Sequence, residues 1–177
     1  MNYTADLEAE RTRKDEFFKN HPHSPIPYDQ REGFRGLIYY EPNPGLRFVV
    51  PLHEHEEKAE LLLDTSTEGV RQYLRWGEFR VEIDDEDVVI QAYRTDEHES
   101  RLFIPFRDRT SGNETYGAGR YLDLEGEDRD GDEWILDFNF AYNPYCAYSE
   151  AYECPLPPGE NWLQVAVNAG EKSYEPN

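Results

Sequence analysis

Short strand signals recur along most of the chain, and this pattern constrains the fold more than any other feature. Residues 78–83 alternate strictly, with Phe79, Val81 and Ile83 on one face and charged side chains on the other. Comparable segments follow at spacings of roughly 8–15 residues. We therefore predict a mainly β fold, an antiparallel β-sandwich or barrel with about nine to ten strands. The candidate strands are 36–40, 46–52, 60–63, 70–76, 78–83, 88–94, 102–106, 119–124, 134–140 and 162–167.

A single helix is predicted at the N-terminus, over residues 1–20. Thr4 can cap it, and acidic residues in its first turns are favourable for the helix dipole. Its apolar stripe is thin, so we expect it to pack only near its C-terminal end, through Phe17 and Phe18. The helix should end at His21, because the proline that follows cannot continue it.

The chain is predicted to form one domain. A length of 177 residues is typical of a single domain with its own core. No repeat or linker divides the sequence, so residues 1–177 are assigned to one unit. This unit comprises the helix, a β-rich part over 24–172 and a short tail over 173–177.

The charge is strongly acidic. There are 38 Asp and Glu residues against 18 Lys and Arg residues, and the formal net charge is −20. This balance excludes the basic surface that nucleic-acid binding requires. Three interpretations stay open: a carboxylate-hydrated surface of the kind found in halophiles, a cation-binding role, and an acidic surface for a basic partner.

The N-terminus is polar, and no segment reaches the ~18 apolar residues of a membrane helix. We therefore expect a cytoplasmic protein with no membrane partner. Cys146 and Cys154 should then be reduced thiols. Their spacing does not match a zinc knuckle. Buried thiols, a nucleophile, half of a metal site and a reversible disulfide all remain open for this pair.

Two charged residues are predicted to pair in the core. Asp108 follows the apolar face of strand 102–106, and Arg120 shares a face with the apolar residues of strand 119–124. Because an unpaired buried charge costs several kcal/mol, we expect an Asp108–Arg120 contact. The pair can be structural or part of a ligand site.

A second polar pair lies on strand 134–140. Strict alternation places Asp137 and Asn139 side by side, opposite an aromatic face that includes Phe140. A carboxylate beside an amide can hold a polar ligand or a cation, although both can equally be exposed sheet residues.

The segment 142–161 is too rich in Pro and Tyr for regular structure. Long irregular segments inside a domain are often functional, and tyrosines can wall a cavity while still forming hydrogen bonds. We predict a stiff, tyrosine-lined flap, which either shapes a site or only covers one end of the sheet.

No metal site is predicted. The pairs His21/His23 and His53/His55 lie in polar loops and are expected at the surface. The acidic run 125–133 lacks the first ligand and the flanking helices of a calcium-binding EF-hand. It is better explained as a solvated hairpin with Asp130-Gly131 as its turn.

Two long motifs resemble a known family. FIPFRDRTSGNETYGAGRYLDLE, followed by LDFNFAYNPYCAYSEAYECPLPPGENWLQVAVNAGEK, is similar to the bacterial and archaeal family called domain of unknown function 1684. The resemblance extends over residues 24–172, and it implies no activity, because the family's activity is not established. The acidic composition also resembles that of proteins from extremely halophilic archaea. The family-pattern positions are Asp108, Tyr116, Arg120, Asp137, Asn139, Asn143, Cys146, Cys154 and Asn161.

Our first functional hypothesis is a small-ligand-binding or interaction module. Its polar pocket is predicted around Arg120, Asp137 and Asn139. An arginine in the pocket favours an anionic small molecule. The predicted ligand contacts are Arg120, Asn139, Asn143, Tyr145 and Asn161.

The alternative hypothesis is a hydrolase- or lyase-type enzyme. In it Asp137 or Asp108 is the general base, and Arg120 or Tyr116 stabilises developing charge. The two hypotheses differ in one observable feature. A catalytic carboxylate must border open space, whereas a structural carboxylate has its oxygens occupied by protein groups.

The net charge of −20 predicts a salt-dependent fold. Repulsion between carboxylates acts over a Debye length of about 10 Å at 0.1 M salt and about 3 Å at 1 M. We expect the melting temperature, followed by circular dichroism, to rise steeply with KCl, and the chain to lose its compact state at low salt. A melting temperature that does not change over this range would contradict the halophile interpretation.

Overall fold

The computed structural model describes residues 2–175 and confirms a mainly β chain with one N-terminal α-helix. Met1 of the predicted helix and residues 176–177 of the predicted tail lie outside the described residues. The elements are α1 Tyr3–Asn20, β1 Arg47–Pro51, β2 His53–Asp64, β3 Val70–Ile83, β4 Glu86–Arg94, β5 Leu102–Phe106, β6 Arg120–Leu124, β7 Arg129–Asp130 and β8 Glu133–Asp137.

The strands form two antiparallel sheets. One sheet has the order β1-β8-β7, and the other has the order β2-β3-β4-β5-β6. The hairpin from β3 to β4 turns at Asp84 and Asp85, which both adopt positive φ angles of 52° and 64°. The predicted hairpin from β7 to β8 is present, but Asp130 pairs with Glu133, so the turn lies at Gly131 and Asp132, one residue later than predicted.

The residues described here contain eight strands rather than nine or ten, and the differences have physical reasons. Segments 70–76 and 78–83 form one long strand, whose pairing with β4 shifts next to Gly77. Segments 36–40 and 162–167 each make only an isolated bridge, to Glu171 and to Arg107 respectively. Strand β8 ends at Asp137, and Phe140 is therefore 48% exposed instead of facing the core.

Both faces of the five-stranded sheet are covered. One face packs against the three-stranded sheet and forms the main core, with Phe79, Ile104 and Leu136 fully buried. The opposite face carries a second, aromatic cluster. Its buried members are Leu63, Tyr73, Tyr93, Phe103, Tyr121 and Cys154. The irregular segment after Ala141 packs over this second face, as predicted for the flap.

Helix α1 packs along more of its length than the sequence indicates. Leu7 and Phe18 are each only 2% exposed, so both halves of the helix reach the protein body. Asn2, not Thr4, caps the helix, because its side chain accepts the Ala5 N–H. Within the described part of the chain, no helix is both long and apolar enough to cross a membrane.

The connection from β5 to β6 depends on Gly119. Its φ angle is +104°, and a Cβ atom there would lie 2.5 Å from the main-chain oxygen of Phe106. Gly112 in the same connection has a φ angle of +85°, but its Cβ would meet nothing within 4 Å. An alanine at position 112 would therefore suffer backbone strain alone, whereas an alanine at position 119 would suffer the same strain and a steric clash.

We expect Gly112→Ala to lower the free energy of unfolding by about 1–2 kcal/mol through strain alone. Gly119→Ala should cost about 1–3 kcal/mol more, because the Phe106 carbonyl must move. Urea denaturation in molar KCl measures both. Equal losses in the two variants would contradict this account of the turn.

Candidate functional site

Arg120 is fully buried and connects the main sheet to residues 167–172, which we call the C-terminal segment. Its Nη1 donates to the main-chain oxygens of Ala169 and Glu171, and its Nη2 donates to that of Val167. Carbonyls of alternate residues point the same way in an extended chain, which lets one guanidinium reach all three. Burial lowers the pKa of Arg120, and the nearby Asp108 carboxylate opposes that shift.

The predicted contact between Asp108 and Arg120 is confirmed. Asp108 Oδ2 lies 3.4 Å from Arg120 Nη2 and also accepts the Val167 N–H at 2.6 Å. Its Oδ1 accepts the hydroxyls of Thr110 at 2.8 Å and Ser111 at 3.2 Å. Protein groups therefore occupy both carboxylate oxygens, and the side chain is 0% exposed, as expected of a structural carboxylate.

Asp137 and Asn139 do not project side by side from a strand. Asp137 caps a 3-10 turn over Phe138–Phe140, and its Oδ1 accepts the Asn139 N–H at 2.9 Å. Its Oδ2 accepts the Tyr3 hydroxyl of α1 at 2.6 Å. Asn139 exchanges two hydrogen bonds of 2.8 Å with the main chain of Asn43. The pair thus fixes the end of β8, the helix and the loop before β1.

Asn161 fills a gap between two strands. Strands β4 and β5 share one registered pair, Tyr93 with Phe103. Beyond that pair, Asn161 Nδ2 donates to the carbonyls of Gln91 at 2.9 Å and Pro105 at 2.8 Å, and Oδ1 accepts the Gln91 N–H at 2.8 Å. The Asn161 amide thus takes the place of main-chain partners between the two strands.

Asn143 belongs to a buried network around Glu171, which is 1% exposed. The Glu171 carboxylate accepts hydrogen bonds from the Lys14 ammonium group, the Tyr148 hydroxyl and the Asn143 N–H. Asn143 Nδ2 donates to the Lys172 carbonyl at 3.0 Å. The network joins α1 to the C-terminal segment.

The structure does not gather the predicted ligand contacts round one cavity. Asp137 borders a cavity between α1 and β8, whereas Asn139 borders a different one. Arg120 and Asn161 are not exposed at all. Arg120, Asp137 and Asn139 thus do not line a common cavity, because each side chain forms its hydrogen bonds within the fold.

A cavity of about 520 Å³ lies instead over the aromatic face of the five-stranded sheet. Its walls contain two edge-to-face ring pairs: Tyr121 with Tyr142, whose centroids are 5.7 Å apart, and Tyr145 with Tyr152, at 5.2 Å. Of the predicted ligand contacts, Tyr145 lies here. We call this cavity the tyrosine groove; it is lined by Lys14, Arg71, Tyr121, Tyr142, Pro144, Tyr145, Tyr152, Glu153, Cys154 and Pro155.

Two cations border the tyrosine groove. The Lys14 ammonium pairs with Glu171 and lies 5.0 Å from the centroid of the Tyr142 ring. Arg71 donates to the main-chain oxygen of Glu153 at 2.8 Å. A guanidinium carries five N–H donors, so Arg71 retains donors for a further acceptor in the groove.

Two of the groove tyrosines, Tyr121 and Tyr142, are held in fixed orientations by hydrogen bonds of their hydroxyl groups. Tyr121 donates its hydroxyl to the Pro155 carbonyl, and Tyr142 donates to the Asp123 carboxylate. Burial raises the pKa of both tyrosines, so both hydroxyls stay protonated at neutral pH. Burial also raises the pKa of Asp123. Tyr121 and Tyr142 therefore present neutral rings to the groove, with hydroxyl groups that are already hydrogen-bonded.

The Tyr116 side chain contacts one of the two cysteines. Its hydroxyl lies 3.6 Å from Cys146 Sγ. The Cys146 N–H donates to Cys154 Sγ at 3.4 Å, and both cysteines are free thiols. The fold thus assembles a small thiol cluster next to the tyrosine groove.

Sequence reasoning missed several important residues. The helical spacing could have indicated that Lys14 faces the protein interior, because Leu7, Lys14 and Phe18 share one face of α1 and this face is packed. Glu171 carries no local signal, since a single carboxylate near a chain end is usually exposed. Arg71 sits among exposed residues at the start of β3, where a charged side chain is unremarkable in sequence.

No metal-binding cluster is present among residues 2–175. No group of three or more His, Cys, Asp or Glu side chains is arranged there to hold an ion. His55 contacts Gln91 through its Nε2 at 2.8 Å, and His53 is exposed.

Comparison with known proteins identifies two similarities. The family model described as "Protein of unknown function (DUF1684)" matches residues 32–172. The solution NMR structure of an uncharacterized protein from Haloarcula marismortui is 45% identical, with a TM-score of 0.73. That match covers 95% of this chain and 92% of the other. No curated protein is significantly similar to the chain.

The buried pair can be tested by a double-mutant cycle. Arg120→Met should lower the free energy of unfolding by about 3–5 kcal/mol, because it leaves the Asp108 charge buried without its partner. The double variant Asp108→Asn/Arg120→Met should lose less than the sum of the single losses, by about 0.5–3 kcal/mol. Urea denaturation at constant salt measures the cycle. Arg80→Met, on an exposed side chain, is the control and should change little.

Additive losses would contradict the assignment of Asp108 and Arg120 as one coupled unit. A loss at Arg80 as large as that at Arg120 would show that the chain responds to lost positive charge in general rather than to this buried contact.

Proposed function

The chain belongs to the DUF1684 family of proteins of unknown function, and we propose that it is a small-ligand-binding protein whose site is the tyrosine groove. The observation that carries this proposal is the combination of tyrosine ring pairs with an arginine that retains hydrogen-bond donors. Ligand sites are typically clefts of about 300–1,000 Å³ with apolar or aromatic walls and a few placed polar groups.

The groove chemistry favours a flat, partly apolar ligand that carries a carboxylate or phosphate group. Aromatic rings prefer offset-stacked or edge-to-face contact with other flat groups. The planar fork of Arg71 matches a carboxylate or phosphate with two parallel N–H···O bonds. An anionic small molecule was also the ligand class predicted from the sequence, although there the arginine was Arg120. We transfer that role to Arg71.

Lys14 supports anion binding in a different way. Glu171 already neutralises much of the Lys14 charge, and the Lys14 side chain is 30% exposed. Lys14 therefore offers one more N–H donor at the groove edge rather than an uncompensated positive charge. It also links the groove to α1, so that groove shape and helix packing depend on each other.

The enzymatic alternative has less support. Asp137 borders a cavity of about 500 Å³, but its two oxygens already accept bonds from the Tyr3 hydroxyl and from Asn139. A general base needs a free oxygen within hydrogen-bond reach of its substrate. Asp137 would therefore have to give up one of these hydrogen bonds to act as a base. Ligand binding in the tyrosine groove requires no such change.

We further infer that the protein works at high salt, inside the cell. Two facts support the first part: the net charge of −20, and the 45% identity to a protein of Haloarcula marismortui. The two free thiols support the second, because disulfides form mainly in oxidising compartments. An acidic surface of this kind also opposes nucleic-acid binding.

The ligand proposal predicts that 1-naphthoate binds in the groove and that its neutral analogue 1-naphthamide binds more weakly. Arg71→Gln should reduce the affinity for 1-naphthoate about 10-fold or more, because a hydrogen bond to a charged group contributes about 1.5–3 kcal/mol. Ligand-observed NMR and thermal shift in molar KCl measure both compounds. Arg80→Gln, an exposed arginine on the same strand, is the matched control and should bind as the wild type does.

Tyr152→Leu tests the aromatic wall separately. It should weaken 1-naphthoate and 1-naphthamide about equally, by roughly 2- to 10-fold, because stacking contributes about 0.5–1.5 kcal/mol irrespective of the charge. If neither compound binds, or if Arg71→Gln and Arg80→Gln have the same effect, the groove is not an anion-binding site.

A further inference from the structure

The flap brings the two cysteines of the chain together at a defined position. Cys146 lies in a 3-10 turn over Tyr145–Ala147, and its N–H donates to Cys154 Sγ at 3.4 Å. Cys154 is fixed to the turn after β2, where its N–H donates to Ser66 Oγ at 3.0 Å and its carbonyl accepts the Ser66 N–H at 2.8 Å. The two thiols therefore meet because the fold holds both ends of the intervening loop.

The surroundings of the two thiols are unequal. The Cys154 thiol, the Tyr116 hydroxyl and the Ser66 hydroxyl all stabilise the Cys146 thiolate, and they lower the pKa of Cys146 to about 6. The same contact, together with burial, raises the pKa of Cys154 well above its usual range. The two opposite shifts favour a thiolate at Cys146 and a protonated thiol at Cys154.

The titratable groups that face this cluster are few. Tyr116 comes from the connection between β5 and β6, and Tyr121 comes from β6. Arg71, on β3, faces Cys154. Burial and the thiolate raise the pKa of Tyr116, so its hydroxyl remains a proton donor to Cys146 over the whole physiological range.

Solvent exposure also differs between the two cysteines, and the cysteine with the lowered pKa is the more exposed one. Cys146 is partly exposed, whereas Cys154 is 8% exposed. A small oxidant from solvent therefore reaches the thiolate first. The Sγ of the buried Cys154 lies 3.4 Å from the main-chain nitrogen of Cys146, beside the residue whose sulfur becomes oxidised.

We propose that Cys146 and Cys154 form a peroxide-oxidisable dithiol, in which Cys146 reacts with a small hydroperoxide and Cys154 resolves the product to an intramolecular disulfide. Cys154 also lines the tyrosine groove, but the proposed oxidation does not require a ligand there. Tyr116 is a positioning residue, which acts through the Cys146 thiolate and does not touch the oxidant in the proposed scheme.

The chemistry balances with hydrogen peroxide as the oxidant. The Cys146 thiolate attacks one peroxide oxygen, the O–O bond breaks, and the leaving hydroxide takes up a proton to form water, which leaves Cys146 as a sulfenic acid. The Cys154 thiol then loses its proton and attacks the Cys146 sulfur. The S–S bond forms, the S–O bond breaks and a second water leaves. Two electrons pass from the sulfur atoms to the peroxide, and an external dithiol reverses the oxidation.

The first test uses the wild-type chain in molar KCl with hydrogen peroxide. One equivalent should remove both titratable thiols and lower the intact mass by two hydrogens, and dithiothreitol should restore both. Retention of both thiols in excess peroxide would overturn the proposal. Covalent dimers in place of an intramolecular disulfide would also overturn it.

Two variants assign the roles. Cys154→Ser should stop at a Cys146 sulfenic acid that dimedone traps, and Cys146→Ser should leave Cys154 as an unreacted thiol. Oxidation of Cys146→Ser at the wild-type rate would overturn the assignment of Cys146 as the attacking sulfur. Circular dichroism confirms that each variant is folded, and the wild-type thiol count stands independently of both.

The pH dependence of Cys146 alkylation tests the role of Tyr116, because a tyrosine with a purely structural role would not change its midpoint. The rate of iodoacetamide reaction with Cys146 should rise to half its maximum near pH 6, against about 8.5 for an ordinary cysteine. Tyr116→Phe should move that midpoint upward by about half a unit or more, since one donor to the thiolate is lost. Tyr28→Phe, on a ring that is 86% exposed, is the control. A wild-type midpoint near 8.5, or equal midpoints in the two tyrosine variants, would overturn the proposed thiolate.

Discussion

The buried guanidinium of Arg120 is the interaction on which the rest of the structure depends. From the first residue of β6 it binds three carbonyls of the C-terminal segment and the Asp108 carboxylate. That segment has no ladder of its own along the sheet. The Arg120 side chain therefore supplies the hydrogen-bond donors that a neighbouring strand would otherwise provide. Such a charge is tolerable in the core only because an opposite charge and the carbonyl dipoles surround it.

The same principle recurs wherever the strands fail to pair. The Asn161 amide bridges β4 and β5 where their ladder opens, and Asn139 holds the loop before β1 through the main chain of Asn43. Glu171 connects the C-terminal segment to Lys14 of α1. Buried main-chain groups must find partners, and these side chains supply them. Several polar residues that look functional in the sequence therefore maintain the fold.

The alternation of strands made much of this fold predictable. The apolar faces of β3, β5 and β6 follow directly from their residues, and the inward direction of Asp108 and Arg120 was sufficient to predict their contact. Segments 36–40 and 162–167 looked like strands for the same reason, but each forms only an isolated bridge. Local pattern does not reveal whether a neighbouring strand is present to pair with. Asn139 was misplaced because β8 gives way to a 3-10 turn after Asp137.

The sequence by itself determined the class of the fold, the single helix, the acidic surface and the tyrosine-rich flap, because each follows from local periodicity or composition. Only the tertiary structure decided which polar residues remain available. It buries Arg120 and Asn161, and it brings Cys146 to Cys154 across a loop. Availability depends on contacts between segments that are distant in sequence, such as Arg120 with the C-terminal carbonyls. No local pattern encodes these contacts.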